Sequence, residues 1–305
     1  MRVLLIVNAF ASSVTARSMV VINKAFSADH DVELVETSRR GHATRLALGA
    51  ANEGYDVVVV MGGDGTLNEA ANGLIGTDTA LATIPGGSTN VFARQIGLPN
   101  DPVEATGVLL DSLAAESIRP IGLGSVDGRC FLFHTGLGFD AAVVEQVERR
   151  ASLKRYAGHP LFVYAGFATW FRHYDHSRPR MAVRLSDGQV VDDAYLTIVL
   201  NTSPYTYLGN RGLDLTPEAT LDNGLSVVVI RTMDFAKTLA LVGSGIGSGR
   251  HLRSSKHAVV AHDLDRIEVM GHGDLPYQVD GDFLGYTGSL DFEHLPDALR
   301  LVMPR

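Results

Sequence analysis

The sequence predicts an α/β chain in two parts: a parallel-sheet domain built from βαβ units, then a β-rich sandwich domain. Three observations carry this. In the first third, short apolar runs alternate with helical patterns, the signature of strands joined by crossover helices. Beyond about residue 120, strand-like runs follow one another with few helices between them, the pattern of an antiparallel sandwich. Glycine clusters stand directly after two N-terminal strands, at the strand ends where open parallel sheets bind ligands.

The elements follow in order. Val3–Val7, Val32–Glu36, Val57–Met61 and Leu81–Ile84 are short runs rich in β-branched and aliphatic residues and read as strands buried on both faces. Ala16–Ala28, His42–Glu53 and Leu67–Leu74 repeat apolar residues at helical spacing. In the second part, strands are expected at Ile118–Val126, Arg129–His134, Met181–Leu185, Ala194–Leu200, Leu225–Ile230, His257–Ala261, Ile267–Met270 and Tyr277–Val279. Helices are expected at Ala141–Arg150, Leu153–His173 and Phe235–Val242. Pro296–Val302 reads as a helix and strand returning to the first domain. The expected division is therefore 1–120 with about 290–305, against 121–289.

Composition excludes several classes. The 305 residues are 46% hydrophobic and 20% charged, with a formal net charge of −8. That is globular rather than disordered, and its sign argues against a nucleic-acid partner. The single cysteine, Cys130, excludes a disulfide framework and a multi-cysteine metal site. No apolar run reaches the roughly 18 residues of a membrane span. The N-terminal run stops at five and ends in Asn8, shorter than the apolar region of a signal peptide. A soluble, cytoplasmic protein is the expectation, with a homodimer compatible.

Two loops carry the chemistry. In Met61-Gly62-Gly63-Asp64-Gly65-Thr66-Leu67-Asn68-Glu69, three glycines sit between a buried strand and a helix. Glycine permits close backbone approach, and a helix N-terminus offers unpaired amides and a positive dipole end to a phosphate. Thr66 is placed to cap that helix, with Glu69 as its capping-box partner. Asp64, beside such phosphates, would repel them unless it holds a metal ion or takes a proton, both steps of phosphoryl transfer. The second loop, Pro85-Gly86-Gly87-Ser88-Thr89-Asn90, offers short hydrogen-bonding side chains at a helix start and forms the second wall of a nucleotide cleft.

These motifs, with Gly136-Leu137-Gly138-Phe139-Asp140-Ala141 and Val279-Asp280-Gly281-Asp282 in the same order, resemble the diacylglycerol kinase catalytic-domain family, which includes bacterial soluble lipid kinases and sphingosine kinases. The likeness spans nearly the whole chain. The first loop alone is shared with NAD kinases and, more loosely, phosphofructokinases. The resemblance implies an ATP-dependent lipid kinase, with diacylglycerol as the foremost acceptor. It implies ATP and Mg²⁺ held by Asn8, Thr37, Gly62, Gly63, Asp64, Gly65, Thr66, Asn68, Ser88, Thr89 and Asn90. It implies a lipid substrate met at a membrane surface, by peripheral contact at its inner face, in a cleft closed by the second domain. Asp282 falls where bacterial members carry a catalytic glutamate. A carboxylate there could accept the proton of the lipid hydroxyl; the base is open between Asp282 and Asp64. Asp140 and Asp280 would support the acidic cluster. A structural metal would fall at Thr220, Asn223 and Leu225.

The chain also departs from that pattern. Val91 stands where an acidic residue usually follows Asn90. Ser88 replaces a threonine. Asn223 replaces an aspartate and brings a carbonyl oxygen but no charge. Alternatives are a soluble-metabolite kinase of the NAD kinase type and a non-catalytic nucleotide or lipid binder.

Other signals are weaker. Gly136–Ala141 fits a dinucleotide fingerprint, but the acidic residue about 20 positions on is missing. No P-loop, Gly-x-Ser-x-Gly or His-Glu-x-x-His motif occurs. Arg149, Arg150, Lys154 and Arg155 form one basic cluster, and Arg250, Arg253 and Lys256 another. They read either as solvated surface or as attraction to anionic headgroups. The apolar stretch Leu161–Trp170 reads as core or as the wall of an acyl-chain cleft.

Overall fold

The computed structural model describes residues 1–150, 164–247 and 249–305. The chain divides into two compact units, Met1–Leu123 with Pro296–Arg305, and Gly124–Leu295.

The first unit holds a parallel sheet. Its strands are β1 (Arg2–Val7), β2 (Asp31–Glu36), β3 (Val57–Gly62) and β4 (Ala80–Pro85). They lie in the order β4-β3-β1-β2, and Leu301 from the end of the chain pairs in parallel with Leu81 beyond β4. Every residue of β3 and β4 is buried, which is why these runs are continuously apolar rather than alternating. The helices are α1 (Ala16–Phe26), α2 (His42–Asn52), α3 (Asp64–Leu74), α4 (Val91–Gln95) and α5 (Pro102–Ala114). Ile22 and Phe26 of α1 and Leu109 and Leu113 of α5 pack on Val3, Leu5, Val7, Val57, Val59 and Met61. Alternate residues of the same strands point the other way, and α2 and α3, packed on each other, contact β1, β3 and β4. The chain leaves β1 for β2 on one side and returns to β3 on the other. This places the switch point of the sheet between β1 and β3, the position at which such sheets bind ligands.

The second unit is antiparallel. The strands that follow are β5 (Ile118–Val126, beginning in the first unit), β6 (Arg129–Phe131), β7 (His134–Gly138), β8 (Met181–Leu185), β9 (Val190–Ala194), β10 (Leu196–Leu200), β11 (Thr206–Leu208), β12 (Arg211–Leu213), β13 (Leu225–Ile230), β14 (Ala258–Leu264), β15 (Arg266–Val279) and β16 (Asp282–Val302). The main path runs β14-β13-β10-β7-β15-β16; β8 pairs Ile267–Gly271 of β15 on the same edge as β7, opposite β16, and β9 pairs β8. Helix α6 (Phe139–Glu148) follows β7. The core gathers Phe131, Leu137, Met181, Val183, Val199, Val227, Val229, Ile267, Val269 and Phe292.

Several expectations change. Ile267–Met270 and Tyr277–Val279 belong to one strand, because a register shift between Met270 and Leu275 carries the ladder through Gly271 and Gly273. Arg129–His134 is two strands. Pro296–Val302 contains no helix; it is the end of β16, and the 21 residues of that strand are disguised by internal glycines and Pro296. Of the expected helix Leu153–His173, 151–163 lie outside the described residues, as do Lys154 and Arg155. Residues 164–168 are helical and Thr169–His173 form a π-helical turn.

Gly73 faces α2, where a Cβ would run into the Thr44 carbonyl oxygen, whereas Gly107 on α5 is exposed with open space beside it. Gly107→Ala is expected to stabilise by up to about 1 kcal/mol through helix propensity. Gly73→Ala is expected to destabilise despite the same propensity gain. Urea unfolding midpoints of the two variants check this.

Candidate functional site

The carboxyl edge of the parallel sheet brings three loops together. The Asn8 amide donates to the Met61 carbonyl (2.9 Å), and its side-chain Nδ2 donates to Thr66 Oγ1 (2.9 Å). The Gly86 amide donates to the Gly62 carbonyl (2.8 Å) and the Ser13 amide to the Gly86 carbonyl (2.8 Å). Ser13 Oγ also reaches the Gly87 carbonyl at 3.2 Å. A Cβ on Gly87 would come within 2.8 Å of the Gly63 Cα, and one on Gly86 within 2.9 Å of the Gly62 amide nitrogen. These glycines are needed because the two loops lie against each other. Thr37 is buried at the end of β2, its amide donating to the Val7 carbonyl (2.8 Å).

Helix α3 corrects the expected capping. It begins at Asp64 with Gly63 as its N-cap and has no side-chain cap, so Thr66 lies inside the first turn and is not the cap. Glu69 instead serves α2. Its Oε1 accepts from the Gly41 amide (2.7 Å) and its Oε2 from the Ala43 amide (3.2 Å). The N-cap of α2 is Gly41, which has no side chain to offer, so its orphan amides take the nearest acceptor. Asp64 does the same for α4. Its Oδ2 accepts from the Val91 amide (3.0 Å) and its Oδ1 from the Phe92 amide (3.2 Å). Asn90, at the α4 N-cap in left-handed conformation, turns its Oδ1 to the Gly87 amide (2.7 Å) and its Nδ2 to the Gly87 carbonyl and Asn100 Oδ1.

What faces outward is backbone. Gly63, Gly65, Thr66, Gly87 and Thr89 are partly accessible and Ser88 is exposed, while Asn90 is buried. The uncapped first turn of α3, flanked by the second glycine loop, fits a phosphate group. Asn68 lies one turn deeper, 1% exposed, where Asn72 Nδ2 donates to its backbone carbonyl (2.9 Å). For magnesium, Asp64 is the acidic residue of that turn. It fits an ion that arrives with phosphates and keeps waters, as Mg²⁺ does. Among the described residues no three His, Cys, Asp or Glu side chains gather as a metal cage.

The second unit carries its own cluster. Asp280 and Gly281, both at positive φ, form the two-residue turn between β15 and β16, the Asp-Gly signature of a tight hairpin. The Asp280 carboxylate is buried and accepts the amides of Leu132 (2.8 Å), Phe133 (3.0 Å) and His134 (3.1 Å). Gln278 Nε2 donates to Asp140 Oδ2 (2.8 Å), and the Gly281 amide donates to Gln278 Oε1 (2.8 Å). The Tyr205 hydroxyl donates to Asp140 Oδ1. Asp140 thus holds the turn that presents Asp282. Burial raises the Asp140 carboxyl and the Tyr205 hydroxyl above their ordinary values. His134, its ring 4.3 Å from that of Tyr205 and tilted by 43°, is pushed down to about 3 by burial. A Cβ on Gly136 would overlap the Asp140 carboxyl, so this glycine makes room for Asp140, and the dinucleotide-like spacing has a packing cause.

At Thr220, Asn223 and Leu225 the turn closes on itself. The Asn223 amide donates to the Thr220 carbonyl (3.3 Å), and its Nδ2 to the Glu218 carbonyl (3.1 Å). Leu225 begins β13. The sequence reading missed Tyr205, Gln278 and His134. Gln278 was accessible through the Asp-Gly hairpin, which fixes its place two residues before the turn; Tyr205, 65 positions from Asp140, leaves no local signal.

Comparison with known proteins agrees with this architecture. The family model described as diacylglycerol kinase catalytic domain matches residues 2–126, and that described as YegS C-terminal NAD kinase beta sandwich-like domain matches 134–303. The Bacillus subtilis strain 168 diacylglycerol kinase is 25% identical over 290 residues, covering 93% of this chain and 90% of that protein. The Staphylococcus carnosus strain TM300 diacylglycerol kinase is 26% identical over 294 residues, covering 93% and 89%. Among solved structures, a diacylglycerol kinase of Bacillus anthracis strain Sterne superposes with TM-score 0.69 at 22% identity, covering 99% of this chain and 96% of that one. An Archaeoglobus fulgidus NAD kinase in complex with ATP gives 0.52 at 13%, covering 100% and 94%; both structures speak to the fold. The chain defines a kinase-fold protein, and it belongs to the diacylglycerol kinase catalytic-domain family with its YegS-type C-terminal domain. The family is one of phosphotransferases that use ATP.

Asp280→Ala would leave three buried amides without their acceptor. A loss on the order of 3 kcal/mol is expected, read from urea unfolding. A histidine with a lowered folded value contributes stability that is present above its unfolded value near 6.5 and is lost as pH falls toward the folded value of about 3. Asp140, raised by burial, works in the opposite direction, so the informative quantity is a difference. Between pH 7 and pH 5, wild type is expected to lose about 2 kcal/mol more than His134→Gln.

Proposed function

We propose that this chain transfers the γ-phosphoryl group of ATP to the hydroxyl of a lipid, with diacylglycerol as the acceptor. The observation that supports this best is the uncapped first turn of α3, set between two glycine loops at one sheet edge. In this reading, amides from Gly63 to Gly65 and those of Ser88 and Thr89 bind and orient the phosphates. Asp64 would meet Mg²⁺ arriving with the nucleotide, and the ion would supply charge neutralisation on the transferring group.

Between the two candidate bases, the reading favours Asp282. Both oxygens of Asp64 already accept α4 amides, which makes Asp64 a brace between the loops. Asp282 is half-buried at a turn pinned on both sides by Asp280 and Gln278. The acceptor hydroxyl gives its proton to the Asp282 carboxylate and its oxygen forms the new O–P bond. The bond to the β-phosphate oxygen breaks, and ADP leaves. Such an acceptor would be met at a bilayer surface from the cytoplasmic side. Among the described residues no helix is long and apolar enough to cross a membrane.

The test is transfer from radiolabelled ATP to dispersed lipids and, separately, to NAD. Label is expected on lipid; label on NAD alone would remove the lipid reading. Asp282→Asn is expected to lower turnover about 10²–10⁴-fold, the usual loss of a general base, whereas Asp282→Glu keeps turnover because the carboxylate survives. Equal rates for wild type and Asp282→Asn would remove Asp282 as the base.

A further inference from the structure

The second unit exposes apolar side chains in a row where a globular surface would bury them. Phe167 and Phe171 lie one helical turn apart, and Phe171 is 68% exposed. Helix Phe235–Ser244 presents Phe235, Leu239 and Val242 outward, while Thr238 and Leu241 face the core. The spacing i, i+4, i+7 puts the outward three on one face. The two rows meet: Phe235 lies 5.8 Å from Phe171, 6.2 Å from Phe167 and 5.4 Å, edge-on, from Trp170. Trp170 is buried against Phe139 and so fixes the patch to the unit's interior. An exposed apolar patch of this kind marks an interaction surface.

Charge selects the occupant. Residues 164–180 carry three arginines against one aspartate, and 234–256 carry two lysines and two arginines against one aspartate. The chain as a whole is at −8. Both aspartates are engaged locally. Asp234 accepts the Lys237 amide (3.0 Å), and Asp175 accepts Ser177 Oγ (2.7 Å) and lies 3.6 Å from Arg180. Arg172 and Lys237 are exposed beside the aromatic rows. The short helix Arg250–Ser254 is tied to the end of helix Phe235–Ser244 by the Leu252 amide on Ser244 Oγ (3.2 Å). Aromatic and aliphatic side chains rimmed by basic ones suit the interface of an anionic bilayer.

We infer that this face, Phe167, Phe171, Phe235 and Leu239 with Arg172 and Lys237, docks the protein on an anionic phospholipid bilayer. The choice of a bilayer over a protein partner rests on the lipid acceptor proposed above.

Sedimentation with vesicles of phosphatidylcholine, and of equal parts phosphatidylcholine and phosphatidylglycerol, tests it. Wild type is expected to pellet with the anionic vesicles and to release as salt rises from about 0.1 to 1 M, where the Debye length falls to about 3 Å. Phe171→Ser with Leu239→Ser, and separately Arg172→Glu with Lys237→Glu, should each weaken binding at least about tenfold. Transfer to dioctanoylglycerol in solution should stay at the wild-type rate in both. Equal pelleting of wild type and both variants overturns the inference, as does wild-type binding indifferent to salt and to phosphatidylglycerol. Light scattering that finds a wild-type dimer, split by Phe171→Ser with Leu239→Ser and unable to bind vesicles, reassigns the face to a second copy and overturns it too. If the variants lose vesicle binding but wild type labels no lipid, the docking face stands and the kinase reading fails.

Discussion

Helix N-termini carry amides with no partner inside the helix, and in the first unit α3 answers that need for both of its neighbours. Glu69 accepts the start of α2 and Asp64 the start of α4. Neither neighbour has a side-chain cap of its own: Gly41 lacks a side chain, and Asn90 spends its amide on Gly87. The start of α3 itself is left uncapped. One helix therefore secures the loops on either side while its own positive end stays open for an anion.

The second unit solves an equivalent problem with the same chemistry. Three successive amides, Leu132 to His134, converge on the Asp280 carboxylate, and Asp140 holds Gln278, which holds Gly281. The Asp-Gly turn is thus fixed by charge-assisted hydrogen bonds rather than by apolar packing. Asp282, the first residue of β16, follows that turn directly, so its backbone is held in place.

Much of this was legible in the sequence, and the limits have physical causes. The N-terminal strands were readable because burial on both faces forces continuous apolar runs, as in Val57–Met61. The glycine loops were readable as strand-to-helix connections at one sheet edge, but the glycines have a cause that sequence does not reveal: the loops touch, and a Cβ on Gly87 would crowd Gly63. The capping of α3 was misjudged because Thr66 and Glu69 have capping-box spacing, while the true acceptor demand came from α2, 26–28 residues away. Strand β16 was missed because Pro296 and its glycines imitate loop punctuation. Tyr205 was missed because a buried partner of Asp140 is set by tertiary approach alone.

The central claim is that backbone amides at the start of α3 and in the second glycine loop hold the phosphates. Amide NMR of the ¹⁵N-labelled protein during titration with Mg²⁺–ATP, and then with adenosine, tests it most directly. The amides of Gly63, Gly65 and Ser88 should shift with the nucleotide and stay in place with adenosine, which lacks phosphates. Shifts confined to other residues, or equal responses to both compounds, would contradict the account.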